Sequence, residues 1–194
     1  MGRPKEFLPF AGEPMLARSC RQLAAACQPV LVLARDHTQP LPPLPATCTR
    51  LADERPEAGP LAGLVLGLDR LQREHGFGDD DAVLLTGCDL PWLDAAAVRW
   101  LWQRLGDADL VLPEAGGTQH PLAAIYRLRL LPAARAALAS GAATPRALLG
   151  ACRAQILGEP VLRGFDPELR LLTNLNTPAE HAAAQAAEPP PDAR

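Results

Sequence analysis

The sequence predicts an α/β fold in three layers, with helices on both faces of a mostly parallel sheet. Short apolar runs at residues 30–33 and 82–85 are typical of strands buried in such a sheet. Segments with apolar residues at helical spacing, such as residues 61–71, alternate with these runs along the chain. With 194 residues and 48% hydrophobic content, the chain can build the core of one domain, which we place at residues 1–187.

The first half of the chain predicts two helices and two strands. Apolar positions at helical spacing across residues 15–23 predict a helix, and the run at residues 30–33 follows as a strand. A short strand is predicted at residues 49–51. The next helix covers residues 61–71, and Pro60 suits its first turn because proline is tolerated where the backbone N–H has no helical partner.

The second half begins with the strand at residues 82–85, after which Asp94 is predicted to cap a helix. Further strands are predicted at residues 109–112, 121–126 and 171–175, and further helices at residues 130–140, at 145–151 and from Thr177 onwards. The proline-rich end, residues 188–194, is predicted to be a disordered tail.

Composition argues against several classes of partner. The net charge is −3 and the sequence pI is about 5.8, so no basic surplus is available for a nucleic acid or an anionic membrane. No apolar run approaches the ~20 residues that span a bilayer. Five scattered cysteines without metal-ligand spacing indicate reduced thiols. These features favour a cytoplasmic protein that acts on small molecules.

Two residues are candidates for phosphate and metal chemistry. Asp89 follows a buried strand, and ligands of open parallel sheets bind beyond the carboxyl ends of the strands. The alternative is that Asp89 only forms a turn before Pro91. Lys5 lies beside Gly2 and can neutralise a triphosphate, or it can be an ordinary surface lysine. The sequence contains neither the P-loop pattern nor G-x-G-x-x-G.

The segment from Asp53 to Gly63 is a second candidate region. Gly59 and Gly63 at the start of a helix let a nucleotide lie against the backbone, with Asp53 beside it. Asp53 can equally be an ordinary loop acid. Cys88 adjoins Asp89 but has no evident base partner, so we assign it to packing rather than to nucleophilic catalysis.

Polar residues near the end of the chain form a third group. Thr177 and Glu180 are explained as a capping box around the start of a helix. That explanation does not account for Asn174 and Asn176. His120 precedes a predicted strand and is either a substrate-binding residue or a loop residue; the histidines lack metal-site spacing.

Taken in order, these motifs resemble the molybdenum cofactor guanylyltransferases over nearly the whole chain. The matching pieces are Met1-Gly2-x-x-Lys5, Gly12-x-Pro14-Met15, Asp53 with Gly59-Pro60-Leu61-Ala62-Gly63, Cys88-Asp89-Leu90-Pro91, His120-Pro121 with Tyr126-Arg127, and Asn174-Leu175-Asn176-Thr177-Pro178. Each piece is unspecific alone, but six in one order are a strong joint signal. Part of the pattern is shared with the wider sugar- and pterin-nucleotidyltransferases.

The resemblance implies a Rossmann-like nucleotidyltransferase fold and transfer of GMP from GTP to molybdopterin, with pyrophosphate released. It implies that Asp89 holds Mg²⁺, that Lys5 contacts phosphate, and that Asp53 and Gly63 lie on the nucleotide side. Asn174, Asn176 and His120 then fall on the pterin side. Other proteins of molybdenum cofactor biosynthesis are the implied partners.

Three alternatives remain open. The chain can be a cytidylyltransferase, a sugar-phosphate nucleotidyltransferase, or an inactive nucleotide-binding relative. The third arises because the family pattern has an apolar strand and a glycine loop just before the segment that matches Met1 to Lys5. The resemblance places that strand between those at residues 30–33 and 82–86, which would otherwise each expose unpaired backbone groups. We therefore hypothesise that the true start codon lies upstream.

Overall fold

A computed structural model describes residues 4–53 and 55–187, and the predicted tail at residues 188–194 lies outside the described residues. The strands are β1 (Pro9–Phe10), β2 (Glu13–Pro14), β3 (Val30–Ala34), β4 (Cys48–Ala52), β5 (Ala82–Thr86), β6 (Leu110–Ala115), β7 (Thr118–Gln119), β8 (Ala123–Arg127) and β9 (Ala154–Gly158). The α-helices are α1 (Met15–Ala24), α2 (Pro60–His75), α3 (Ala95–Trp102), α4 (Leu131–Ala139), α5 (Glu159–Arg163) and α6 (Pro178–Ala187). Short 3-10 helices cover Lys5–Phe7, Pro56–Ala58, Leu128–Leu130, Pro145–Ala151 and Arg170–Leu172.

The helices and strands predicted up to α4 are all present, although the short strands β1, β2 and β7 were not predicted. Pro60 is the first residue of α2, and the Asp94 side chain caps α3 by accepting a hydrogen bond from the backbone N–H of Ala97 at 2.9 Å. The helix predicted at residues 145–151 is present as a 3-10 helix, Pro145–Ala151. One assignment near the end was wrong, because the strand predicted at residues 171–175 is replaced by a 3-10 turn and irregular chain.

The strands form a larger sheet around β6 and β8, a separate parallel pair, β3 and β4, and a short antiparallel pair, β1 and β2. In the larger sheet β8 pairs antiparallel with both β5 and β6, and β6 pairs parallel with β9. It follows that β5, β6 and β9 point in one direction and β8 in the other. The α/β class is confirmed, although the sequence did not predict the antiparallel insertion of β8.

Helices cover both faces of the sheet, as predicted. On β5 the side chains of Val83 and Leu85 pack against the core cluster of α2 and α4, and Leu31 of β3 packs against the same cluster. Ala82 and Leu84 point to the opposite face and pack against the cluster that includes α3 and α5. This alternation follows from the two-residue period of a strand and gives three layers.

A cavity separates the larger sheet from the β3–β4 pair. In the described chain β3 pairs only with β4 and β5 only with β8, so each strand has one unpaired edge, as the sequence predicted. Between these edges lies a cavity of about 760 Å³. One wall includes Gly63 and Gly67 of α2, and the opposite wall includes Cys20 of α1 and Trp102 of α3. We call this space the intersheet cavity.

The intersheet cavity corrects one prediction about burial. The run at residues 82–85 was predicted to be a fully buried strand, but all five residues of β5 are only partly buried. The physical reason is that one edge of β5 borders the cavity. Across the described residues, every helix is too short or too polar to cross a membrane.

Candidate active site

The site is built around Asp89, which lies three residues beyond the end of β5. Gly87 leaves room for the observed side-chain position, because a Cβ atom on Gly87 would lie only 2.5 Å from the Asp89 Oδ1 atom. The carboxylate therefore folds back over a residue that has no side chain. Its side chain is 22% exposed, so Asp89 is reachable from solvent yet partly held by protein.

Lys5 is brought to Asp89 from the opposite end of the sequence. It begins a 3-10 turn, Lys5–Phe7, and its Nζ atom lies 3.3 Å from Asp89 Oδ2. The same ammonium donates a hydrogen bond of 2.6 Å to Asn176 Oδ1. The lysine side chain is 35% exposed, so it faces solvent as well as its two partners. Three sequence-predicted residues thus meet at one point.

Asn176 is held in place by its backbone neighbours. The N–H of Leu175 donates to the Asp89 carbonyl oxygen at 3.0 Å, and the Leu175 side chain is buried. The predicted capping box is present: Glu180 Oε2 accepts from the N–H groups of Asn176 and Thr177 at 2.8 and 2.9 Å, and Thr177 Oγ1 accepts from the Glu180 N–H. The N–H groups of Asn176 and Thr177, with a smaller effect of the Lys5 charge, lower the pKa of Glu180.

Asp53 and Gly63 lie on the wall of the intersheet cavity, which also includes Gly87 and Cys88. The Asp53 side chain accepts a hydrogen bond from the backbone N–H of Arg55, which is the behaviour of an ordinary loop acid. Gly63 packs close to β3, since a Cβ atom there would lie 3.1 Å from a methyl carbon of Leu33. A nucleotide-binding role for both residues stays a prediction.

Asn174 and His120 are not part of this cluster. Asn174 is exposed, two residues before Asn176, and no hydrogen bond joins it to Lys5 or Asp89 within residues 4–53 and 55–187. His120 lies after β7, where its backbone N–H donates to the Pro113 carbonyl. Their pterin-side roles stay predictions.

His120 provides a test of stability against pH. Burial, with a smaller effect of the positive charge of Arg146, lowers the pKa of His120 below its usual range. Below about pH 6.5 the unfolded chain therefore takes up a proton that the folded chain does not. We expect the free energy of unfolding to fall as the pH drops below this value, and His120→Gln to reduce the dependence in urea titrations. His37→Gln changes an exposed histidine and is the control. If the unfolding free energy of His120→Gln changes with pH as steeply as that of the wild type, His120 is not the cause of the pH dependence.

Cys88 is unsuited to be a nucleophile. Burial, followed by the negative charges of Asp89 and Glu6, raises the pKa of its thiol to about 11. The thiol therefore stays protonated at neutral pH, and the thiolate is the reactive form. This agrees with the packing role predicted for Cys88.

The donor set suits a magnesium ion that is shared with a substrate. Among the described residues no group of three or more His, Cys, Asp or Glu side chains could hold a metal. Magnesium is commonly bound by one or two carboxylates together with substrate phosphates and water, so a single Asp89 carboxylate fits such an ion. Asp89 would hold it, with substrate oxygens completing its coordination.

One feature of the site, the link of Glu180 to Asn176, was missed from the sequence, and one signal that supports the predicted Lys5 was overlooked. Glu180 was interpreted only as a cap, and its link to Asn176 requires the folded chain. A sequence signal did exist for Lys5: lysine and arginine together number 19, and Lys5 is the only lysine. A chain that otherwise uses arginine throughout, yet keeps one lysine at this point, indicates a need for a compact ammonium group.

The fold is that of the nucleotidyltransferases with a Rossmann-like sheet. A solved structure titled molybdopterin-guanine dinucleotide biosynthesis protein A, from Archaeoglobus fulgidus, superimposes with a TM-score of 0.74 at 20% identity, covering 95% of this chain and 90% of that one. At this identity the similarity establishes the fold alone. The site at the end of β5 lies where such folds bind their ligands.

The chain belongs to the MobA-like NTP transferase family, whose domain model matches residues 1–156. It is 34% identical over 190 residues to a Mycobacterium tuberculosis protein named "Probable molybdenum cofactor guanylyltransferase", covering 95% of this chain and 87% of that protein. It is 28% identical over 187 residues to the molybdenum cofactor guanylyltransferase of Desulfosudis oleivorans, covering 96% and 88%. The chain is thus a nucleotidyltransferase that resembles the molybdenum cofactor guanylyltransferases.

Proposed function

We propose that this enzyme transfers GMP from GTP to the phosphate of molybdopterin, with release of pyrophosphate and dependence on Mg²⁺. The observation that carries the proposal is the meeting of Lys5, Asp89 and Asn176 beyond the end of β5. Asp89 and Asn176 are 84 and 171 positions from Lys5 in the sequence, so only the folded chain brings the three residues together. The names of the relatives supply the nucleotide and the acceptor.

The chemistry requires few protein groups. An oxygen of the acceptor phosphate attacks the α-phosphorus of GTP, the bond from that phosphorus to the β-phosphate oxygen breaks, and pyrophosphate leaves with the electron pair. The acceptor is already anionic at neutral pH, so no general base is needed, and positioning with charge neutralisation suffices. A magnesium ion, when bound, would stabilise charge on the phosphate oxygens.

Lys5 and Asp89 have complementary roles in this scheme. Asp89 supplies the carboxylate for the metal, while Lys5 supplies a positive charge to the phosphates. In the described structure the Lys5 ammonium pairs with the Asp89 carboxylate, which would also be the group that holds the metal. Asn176 also holds the Lys5 ammonium at the site. The hydrogen bond from Lys5 to Asn176 Oδ1 is shorter than the contact between Lys5 and Asp89.

The test is release of pyrophosphate from each of the four nucleoside triphosphates with molybdopterin, in the presence and absence of Mg²⁺. Release from GTP alone, with Mg²⁺ and acceptor, supports the proposal. Release from CTP would identify a cytidylyltransferase. Activity with a sugar phosphate in place of molybdopterin would show that the acceptor is a sugar phosphate. No release from any triphosphate would favour an inactive nucleotide-binding relative.

Replacing Lys5 with glutamine is expected to weaken GTP binding about tenfold or more while changing stability little. The partly exposed ammonium contacts polar atoms rather than filling a core, so its loss removes charge and not packing. Isothermal titration with GTP and thermal unfolding measure the two effects. Arg21→Gln is the control, because Arg21 is an exposed cation paired with Glu13. Equal GTP affinity in the wild type and in Lys5→Gln would contradict the role of Lys5.

A further inference from the structure

The helix cap of α6 and the active site share a residue. Asn176 accepts the Lys5 hydrogen bond through its side chain, and its backbone N–H donates to Glu180. Glu180 is exposed and four residues away, and no direct contact joins it to Lys5 or Asp89 among the described residues. Apart from the weaker electrostatic effect between the charges of Glu180 and Lys5, its effect on the site therefore passes through Asn176.

The hydrogen bonds of Glu180 act on one short piece of backbone. A single carboxylate oxygen, Oε2, accepts from the consecutive N–H groups of Asn176 and Thr177. Two bonds to one oxygen fix the orientation of the peptide between these residues, and bonds to an ionised acceptor are the stronger kind. The preceding residue, Leu175, is fixed by its buried side chain and by its N–H bond to the Asp89 carbonyl.

We propose that Glu180 is a positioning residue for Lys5: it fixes the backbone of Asn176 so that Asn176 Oδ1 holds the ammonium beside Asp89. The inference rests on the proposed function, in which Lys5 contacts phosphate. It assigns to the cap of α6 a role beyond the stability of that helix.

The uniqueness of Lys5 permits a direct test that does not need catalysis. Lys5 carries the only side-chain amine of the chain, so acetylation by acetic anhydride, followed by peptide mass spectrometry, reports on this residue separately from the α-amino group. An ammonium held by Asn176 and Asp89 reacts slowly. We expect Glu180→Ala to raise the acetylation rate of Lys5 several-fold, to the rate seen in Asn176→Ala.

Two further variants separate positioning from helix stability. Glu180→Gln keeps an oxygen that can accept both N–H bonds, so it should restore most of the protection. Gln185→Ala removes a different contact of α6, the bond from Gln185 Nε2 to the Pro9 carbonyl, and should leave the Lys5 rate unchanged. In the double variant Asn176→Ala with Glu180→Ala, the acetylation rate of Lys5 should equal that of Asn176→Ala alone. Both changes act on the same hydrogen bond between Lys5 and Asn176.

The outcomes decide the proposal. An unchanged Lys5 rate in Glu180→Ala overturns it, and so does an equal rise in Gln185→Ala, which would mean that loosening α6 alone exposes Lys5. If the enzyme is active, kcat of Glu180→Ala should fall roughly tenfold with little change in the KM for the acceptor, because a misplaced group mainly costs transition-state interactions. Absence of pyrophosphate release would contradict the proposed function. The acetylation rates would still test whether Glu180 positions Lys5.

Discussion

Replacing Asp89 with asparagine is expected to leave the fold intact and to lower the rate of nucleotidyl transfer at least about 100-fold, or roughly 2.7 kcal/mol of activation free energy. The amide keeps the shape of the side chain over Gly87 but loses the charge that attracts Mg²⁺. It also removes the negative partner of Lys5. The rate is measured by pyrophosphate release over a range of Mg²⁺ concentrations, and the fold by circular dichroism.

Asp94→Asn is a matched control for this change. It makes the same chemical substitution five residues later, at the cap of α3, where asparagine caps as well as aspartate. Its rate should stay near that of the wild type. A near-normal rate for Asp89→Asn at saturating Mg²⁺ would show that Asp89 is not the metal ligand.

Joining an apolar strand and a glycine-rich loop to the N-terminus is expected to stabilise the protein by about 3 kcal/mol, which corresponds to a Tm rise on the order of 10 °C. The added strand would pair with the free edges of β3 and β5. Its side chains would pack against α2 on one face and against α1 and α3 on the other, where the intersheet cavity lies. The entry point is suitable, because Glu6 already lines this cavity.

Thermal unfolding and binding of a hydrophobic dye measure this effect. Dye binding should fall as the Tm rises, and an extension of equal length made only of glycine and serine should change neither. An apolar extension that leaves both unchanged would show that the cavity does not take a strand.

The sequence predicted those helices and strands in which the spacing of apolar residues matches their burial in the fold. Residues 30–33 became β3 and residues 61–71 fell within α2, because apolar period and burial agree there. β9 was missed because only Leu157 of its five residues is buried, which leaves no apolar period to recognise. The leucines at residues 171 and 172 were assigned to a strand, since a buried 3-10 turn has a similar apolar composition.

The site was predicted in part, and through the order of its motifs rather than through spacing. Lys5, Asp89 and Asn176 are each ordinary in isolation, and only the resemblance linked them. The tertiary hydrogen bonds of the folded chain bring them together. The role of Glu180 could not be predicted, because a capping box has the same sequence whether or not a residue beside it contacts a distant side chain.

The contact between Lys5 and Asn176 has a consequence for protein synthesis. The proposed site joins Lys5, in the first described turn, to Asn176, which precedes α6 and lies 171 positions away. During translation the N-terminal segment leaves the ribosome first and must wait for α6 before its lysine gains this partner. A nascent chain that stalls before residue 176 therefore lacks Asn176, and a polypeptide that lacks α6 loses the Glu180 bonds that order Asn176. Under the proposed function, the site is complete only after α6 has been synthesised.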